Sequence, residues 1–254
     1  MNLSIKQVPL YLSTILLGIG IYLIGYHIPR ENFSILISVF ALSFFGLYIL
    51  QKSQLEEKTL FSLGIVFRLL LIFSVPILSD DYFRFLWDGL LIQDGYNPFE
   101  YQPTDLINHF KDSKIHHELY SGMNSPNYYS IYPPINQWIF FIASLTDSVY
   151  GGIIVIRLFI IGAEVATYSI IKKILQRYNL NDNRIWWYWL NPLVILELTG
   201  NLHGEGILTL FLLLALYNFT KLKDMNGGLL LGLSVLSKLF SLMFFPILLL
   251  KARW

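Results

Sequence analysis

The chain has 254 residues, 55% of them hydrophobic and only 14% charged, with a net charge of +1. A soluble domain carries about 25% charged residues, so this composition excludes an ordinary soluble globular fold. The near-neutral charge gives no basis for a nucleic-acid partner, and the absence of cysteine excludes disulfides and thiolate metal sites.

Apolar runs of roughly 20 residues recur, each long enough to cross a bilayer as a helix. They are unbroken rather than alternating, which excludes a transmembrane barrel. The predicted spans are roughly 8–28, 33–51 and 59–79, then a polar loop at 80–132, then spans near 150–172, 184–200, 204–220 and 226–250. Lys6 precedes the first run and no small-residue cleavage site follows it, so this run reads as a first transmembrane helix or signal anchor. The expected fold is all-α, a polytopic transmembrane helical bundle of about 7–8 spans. An N-terminal hairpin covers 1–58 and a core covers 59–254, with a large outward loop carrying short interfacial helices.

Segment 133–147 (PPINQWIFFIASLTD) is about 22 Å long as a helix, short of the roughly 30 Å hydrocarbon core. It reads as a tilted crossing, an interfacial helix or a re-entrant piece. Lys172, Lys173, Arg177 and Arg184 make 172–184 the most basic short loop, and Lys52 and Lys58 place 51–58 on the same, cytoplasmic side. Both placements hold together only if 133–147 does not cross fully, with loop 80–132 outside. That loop is too long for a mere connector. Its aromatic residues, including Trp87, Tyr96, Phe99, Tyr101, Tyr128, Tyr129 and Tyr132, argue for order rather than a tether. Asp81–Ile92 has the pattern of an amphipathic helix on the membrane surface with its Phe, Leu and Trp side chains facing lipid.

Asp80 and Asp81 stand where the third apolar run gives way to this loop. Adjacent carboxylates ionise together only at a cost in a partly desolvated site, which suits one of them to proton transfer. The same pair could hold a divalent cation such as Mg or Mn, or simply be a solvated helix end.

The wider pattern is Ser79-Asp80-Asp81-Tyr82-x-Arg84-x-x-Trp87-Asp88-Gly89, then Gly95-Tyr96-Asn97-Pro98-Phe99-x-Tyr101-x-Pro103, then Tyr132-Pro133-Pro134 and Gln137. It continues with Asn191-Pro192, Glu197, Asn201-x-His203-Gly204-Glu205, Gly228-x-x-x-Gly232, Lys238 and Pro246. In order and spacing, over about residues 60–250, this resembles the GT-C glycosyltransferases, especially the bacterial polyprenyl-phosphate-mannose-type enzymes. The resemblance implies transfer of a hexose, mannose or similar, from a polyprenyl-phosphate donor to a glycan or lipid-linked acceptor on the outer face. It implies inversion at the anomeric carbon, an integral multi-pass protein of the bacterial inner or plasma membrane, and Asp81 or Asp80 as the base. Arg84, His203 and Lys238 become candidates to stabilise the phosphate leaving group.

Each supporting residue also has a plainer role. Arg84, one turn after Asp80 and Asp81, can simply pair with one of those carboxylates, and Asp88 can cap or solvate its helix. Asp88, Asn97, Tyr132, Gln137 and Glu205 are carried over from the resemblance as substrate-binding candidates. Tyr132-Pro133-Pro134 is either a stiff sugar platform or a stop before the next helix. His203 with Glu205 either contacts the donor or caps the helix that follows, and Lys238 meets either a lipid phosphate or Glu197. Arg68, Arg157, Glu164, Glu197 and Lys238 fall inside candidate spans and need partners there. Trp186, Trp187 and Trp189 have the look of an interfacial belt. The close at Lys251-Ala252-Arg253-Trp254, directly after an apolar run, suggests a shortened or split version completed by a second polypeptide. The competing classes are a transporter or channel subunit, for which no internal repeat is evident, and a non-catalytic lipid-binding subunit.

Overall fold

Leucine- and isoleucine-rich runs satisfy their backbone internally as helices, and the computed structural model, which describes residues 8–52 and 56–246, contains no strand among them. Lys6, the end of the run predicted at 226–250 and the closing residues 251–254 lie outside the described residues. The helices are α1 (Val8–Tyr26), α2 (Phe33–Lys52), α3 (Glu57–Leu70), α4 (Asp81–Gln93), α5 (Pro103–Leu106) and α6 (Lys114–Gly122). They continue as α7 (Pro134–Ser144), α8 (Val149–Arg177), α9 (Trp186–Trp189), α10 (Pro192–Val194), α11 (Glu205–Phe219) and α12 (Asp224–Ser237). Two of them, α2 and α8, are long and apolar enough to cross a bilayer. The count rises to three if the broken pair Pro192–Gly200 and Glu205–Phe219 forms one span.

Three predicted spans are interrupted. The run at 59–79 is helical only to Leu70; the chain then turns, the Ser74 hydroxyl donates to the Leu71 carbonyl, and the segment around Pro76 is irregular. The run at 184–200 breaks at Asn191-Pro192, where the Asn191 side chain caps the backbone N–H groups of Leu193 and Val194, and closes as a π-helical turn over Ile195–Gly200. Proline supplies no N–H and starts a helix more readily than it continues one. The run at 226–250 stops at Ser237; Lys238 is extended, and a 3₁₀ stretch follows over Leu239–Phe244.

The chain forms two compact units, divided after Ser79, Ile174 and Leu202. In the first, α1 and α2 approach closely through small residues: a Cβ on Gly46 would stand 3.0 Å from the Ser13 carbonyl oxygen. Arg68 is wholly buried there, which the low dielectric would penalise were it not engaged. Its Nη1 donates to the Gly64 and Trp189 carbonyls at 3.0 and 2.9 Å, and its guanidinium lies 3.9 Å from the Trp189 ring centre. Trp189 in turn stacks on Phe61. Trp186 and Trp189 are therefore core residues rather than a belt; only Trp187 of the three is exposed.

In the second unit, α4 packs on α6 and α7, and α11 pairs with α12. Phe85, Leu86, Trp87, Leu90 and Leu91 are buried within the protein, so the apolar face of α4 meets other helices and not lipid. Phe85 stacks on Phe140 of α7 with ring centres 4.6 Å apart, while Trp87 is ringed by Phe110, His116 and Tyr120. Gly89 makes the contact with α7 possible: a Cβ there would lie 2.1 Å from the Phe140 carbonyl oxygen.

Candidate active site

α4 is the element from which the candidate site is built. Its first residues carry Asp80 and Asp81, both half-buried; Asp80 begins the helix through its carbonyl, which accepts from the Phe83 N–H at 3.2 Å, and not through its side chain. One turn on, Arg84 and Asp88 pair along the helix at 2.7 Å, both buried. The sequence points to Asp80 or Asp81 as the carboxylate for Arg84; the structure pairs it with Asp88, one turn further along the helix.

Arg84 and Asp88 then hold the segment 125–132. Arg84 Nη1 donates to the carbonyls of Ser125 and Tyr128 at 3.1 and 2.8 Å. Asp88 Oδ2 accepts a short hydrogen bond from the Ser130 hydroxyl and another from Gln137 Nε2 at 2.9 Å. Gln137, in the first turn of α7, also reaches Ser130 Oγ at 2.6 Å and the Tyr132 carbonyl at 3.3 Å. Burial pushes the Asp88 carboxyl upward, and Arg84 with the Ser130 and Gln137 hydrogen bonds pulls it back. Arg84, Asp88 and Gln137 are accordingly positioning residues that fix where Tyr132 sits.

Tyr132 packs edge-to-face against the stacked rings of Phe85 and Phe140. Its hydroxyl is raised well above the usual phenol range, by burial first and then by the carboxylates of Asp81, Asp88 and Glu205. Tyr82 is pushed up to about 12, again by burial first and then by Asp80 and Glu118. Both phenols therefore keep their protons at neutral pH.

Asn136 joins the remaining pieces. Its Nδ2 donates to the Ser237 carbonyl at 2.7 Å, and Gly204 approaches so closely that a Cβ there would lie 3.1 Å from Asn136 Oδ1. The end of α12 is thereby held beside the start of α11, where Lys238 pairs with Glu205. Lys238 meets Glu205 as a carboxylate partner, at a helix break rather than inside a helix. Both side chains are about half exposed, so the pair adds at most about 1 kcal/mol of stability. His203 lies close enough to Glu205 for its charge to be felt there.

Asp81, Tyr132, Glu205, Lys238 and His203 thus share one neighbourhood, while Asn97 stands apart. Its Oδ1 accepts from the Phe99 N–H at 3.1 Å and its Nδ2 donates to Glu100, which makes it a turn residue. Ser130, Asn136 and Ser237 carried no signal in the sequence: a serine in a polar loop looks like any other. Among the described residues no three of His, Asp and Glu gather as a metal cage. A Mg or Mn ion at Asp80 and Asp81 would have to complete its shell with substrate oxygens and water.

Apolar helices, buried charges with partners and a half-buried acidic pair at the head of a helix define a helical membrane protein with an enzyme-like polar centre. Over residues 32–253 the chain matches the family described as alpha-(1->6)-mannopyranosyltransferase, N-terminal domain, and it belongs to that family. It is similar to alpha-(1->6)-mannopyranosyltransferase A of Corynebacterium glutamicum, 26% identical over 174 residues, which is 64% of this chain and 32% of the relative. It is also similar to alpha-(1->6)-mannopyranosyltransferase B of the same organism, 28% identical over 149 residues, 56% of this chain and 24% of the relative. The chain thus spans about a third or less of the length of these curated relatives. No solved structure matches it.

Proposed function

We propose that the chain carries the acidic half of a membrane mannosyltransferase site, moving mannose or a similar hexose from a polyprenyl-phosphate donor to a glycan acceptor outside the membrane. The observation that carries this reading is the shared neighbourhood of Asp81, Tyr132 and the Glu205–Lys238 pair in a member of a mannosyltransferase family. Asp81, backed by Asp80, takes the proton from an acceptor hydroxyl as that oxygen attacks the anomeric carbon. The new C–O bond forms on the face opposite the phosphate, the bond to the phosphate oxygen breaks, and the anomeric centre inverts. Lys238 and His203 meet the negative charge that develops on the departing phosphate. Tyr132, protonated throughout, orients the sugar.

The donor's apolar tail has a place to lie. A groove of about 570 Å³ runs along α7, α8 and α11, lined by Ile135, Trp138, Phe159, Gly162, Ile207 and Phe211. Ile135 precedes Asn136 in α7, and Ile207 lies two residues after Glu205 in α11. The reading includes about 7–8 spans with 80–132 outside. α7 supports it, because an 11-residue helix is about 16 Å long, roughly half the hydrocarbon core, and is too short to cross fully.

The test is a choice of donors presented to the purified chain in lipid. Radiolabelled mannose should pass to an α-(1→6)-mannooligosaccharide from a polyprenyl-phosphate donor and not from a nucleotide sugar. Transfer from the nucleotide sugar alone would overturn the donor assignment.

A further inference from the structure

Two segments of the outward region are stitched together by backbone. Ser130 N–H donates to the Pro98 carbonyl at 3.1 Å, and Thr104 N–H donates to the Pro126 carbonyl at 3.1 Å. The Thr104 hydroxyl adds bonds to the Pro126 carbonyl and to Asn127 Oδ1 at 2.9 and 2.7 Å. Beneath them, Arg84 clamps the carbonyls of Ser125 and Tyr128. A loop pinned at this many points is rigid, yet its aromatic side chains point outward. Phe99 is 47% exposed, Tyr101 39%, Tyr128 68% and Tyr129 51%. Rings that the rest of the protein leaves uncovered on an ordered frame are open to a ligand.

The polar residues between the rings narrow the class of that ligand. Residues 97–105 and 124–131 contain Asn97, Glu100, Gln102, Asp105, Asn124 and Asn127 and not one lysine or arginine. A membrane surface bearing anionic headgroups would be repelled by such a patch. A neutral polyol suits it: the C–H faces of a pyranose ring meet the negative face of an aromatic ring, while amides and carboxylates take up the hydroxyls. Tyrosine suits this use because it offers large, rigid contact area at little entropic cost.

Resting on the transferase reading above, we infer that Phe99, Tyr101, Tyr128 and Tyr129 form an acceptor-chain subsite, a stacking platform for sugar units one to three residues removed from the one that reacts. The distance fits. Tyr129 stands three residues before Tyr132, at most about 10 Å away along the backbone, within the length of about two sugar units. Such a platform would make the protein prefer a polymeric acceptor to a monosaccharide.

Binding tests this without any donor, so it stands apart from the test of transfer. The full chain in nanodiscs is titrated with α-(1→6)-linked mannohexaose and with methyl α-mannoside, followed by saturation-transfer NMR or calorimetry. The hexaose should bind at least tenfold tighter. Tyr128→Ala and Tyr129→Ala should each weaken the hexaose about tenfold, with methyl mannoside unchanged, whereas Tyr128→Phe and Tyr129→Phe keep the ring and keep the affinity. The inference is overturned if the hexaose binds no better than the monosaccharide, or if the alanine variants bind it like wild type. It is equally overturned if the phenylalanine variants lose as much as the alanines. Binding as expected without any sugar transfer would remove the transferase reading and leave the subsite standing.

Discussion

At Asp88 one carboxylate gathers Arg84 from its own helix, Ser130 from the outward segment and Gln137 from α7. Removing it leaves the Arg84 guanidinium buried without its counter-charge, the costly way to break an internal ion pair. Asp88→Ala should lower stability by about 3–5 kcal/mol, read as a large drop in the thermal midpoint. Asp105→Ala, on the exposed side, should change it by less than about 0.5 kcal/mol. Equal effects would show that the network does not organise this region. The Arg84–Asp88 spacing of four stands in the sequence, yet Asp80 and Asp81 on the other side of Arg84 drew the expectation instead. The other partners lie 42 and 49 residues away, and no local pattern predicts which serine or glutamine a fold will bring back. The same holds for His116, which stacks on Phe110 with its Nε2 3.1 Å from Asp94. Burial holds its pKa below the ordinary value against the pull of Asp94, with His117 lowering it further. The unfolded chain then binds a proton more readily than the folded one in the range just below about 6.5. Stability should therefore fall as pH drops from 7 towards 5, and the slope should flatten in His116→Gln. A slope unchanged by that substitution would place the titration elsewhere.

Between elements, close approach is governed by glycine. Gly89 lets α4 touch the backbone of α7, and a single methyl would meet the Phe140 carbonyl at 2.1 Å. Gly89→Ala should cost about 1–3 kcal/mol through overpacking. Gly162→Ala on α8, whose Cβ would meet nothing within 4 Å, should be close to neutral. If Gly89→Ala is also neutral, α4 does not bear on α7 as described. The long helices α1, α2, α8 and α11 were readable from hydrophobic runs alone. The breaks after Leu70, at Asn191-Pro192 and at Lys238 were not, because a hydropathy window averages over side chains and cannot sense where the backbone turns. Asn191-Pro192 did carry the local signal, a capping side chain followed by proline, within a run whose apolar character outweighed it. The burial of α4 escaped for a related reason: an apolar helix face looks the same whether lipid or protein will cover it.

For the whole molecule, membership of the mannosyltransferase family sets aside the transporter reading and leaves topology and catalysis as proposals. The cysteine-free chain makes topology directly measurable, since any introduced thiol is the only one present. Glu100→Cys should react with a membrane-impermeant maleimide added outside the cell, and Arg177→Cys only after permeabilisation. The reverse pattern would invert the bundle and put the acidic pair on the wrong face for an external acceptor. The acidic pair itself was visible from the first, standing at the end of an apolar run. Tyr132, Glu205 and Lys238 each stood among the candidates; that Glu205 would pair with Lys238 was not legible, because such partners meet through helix packing alone. The most direct test of the account compares sugar transfer from a polyprenyl-phosphate-mannose donor by wild type, Asp81→Asn and Asp80→Asn, with folding checked by thermal midpoint. Asp81→Asn should lose at least about a hundredfold in rate at an unchanged midpoint, the usual contribution of a positioned base, and Asp80→Asn should lose less. Wild-type rates in both variants would contradict the assignment of this pair as the catalytic base.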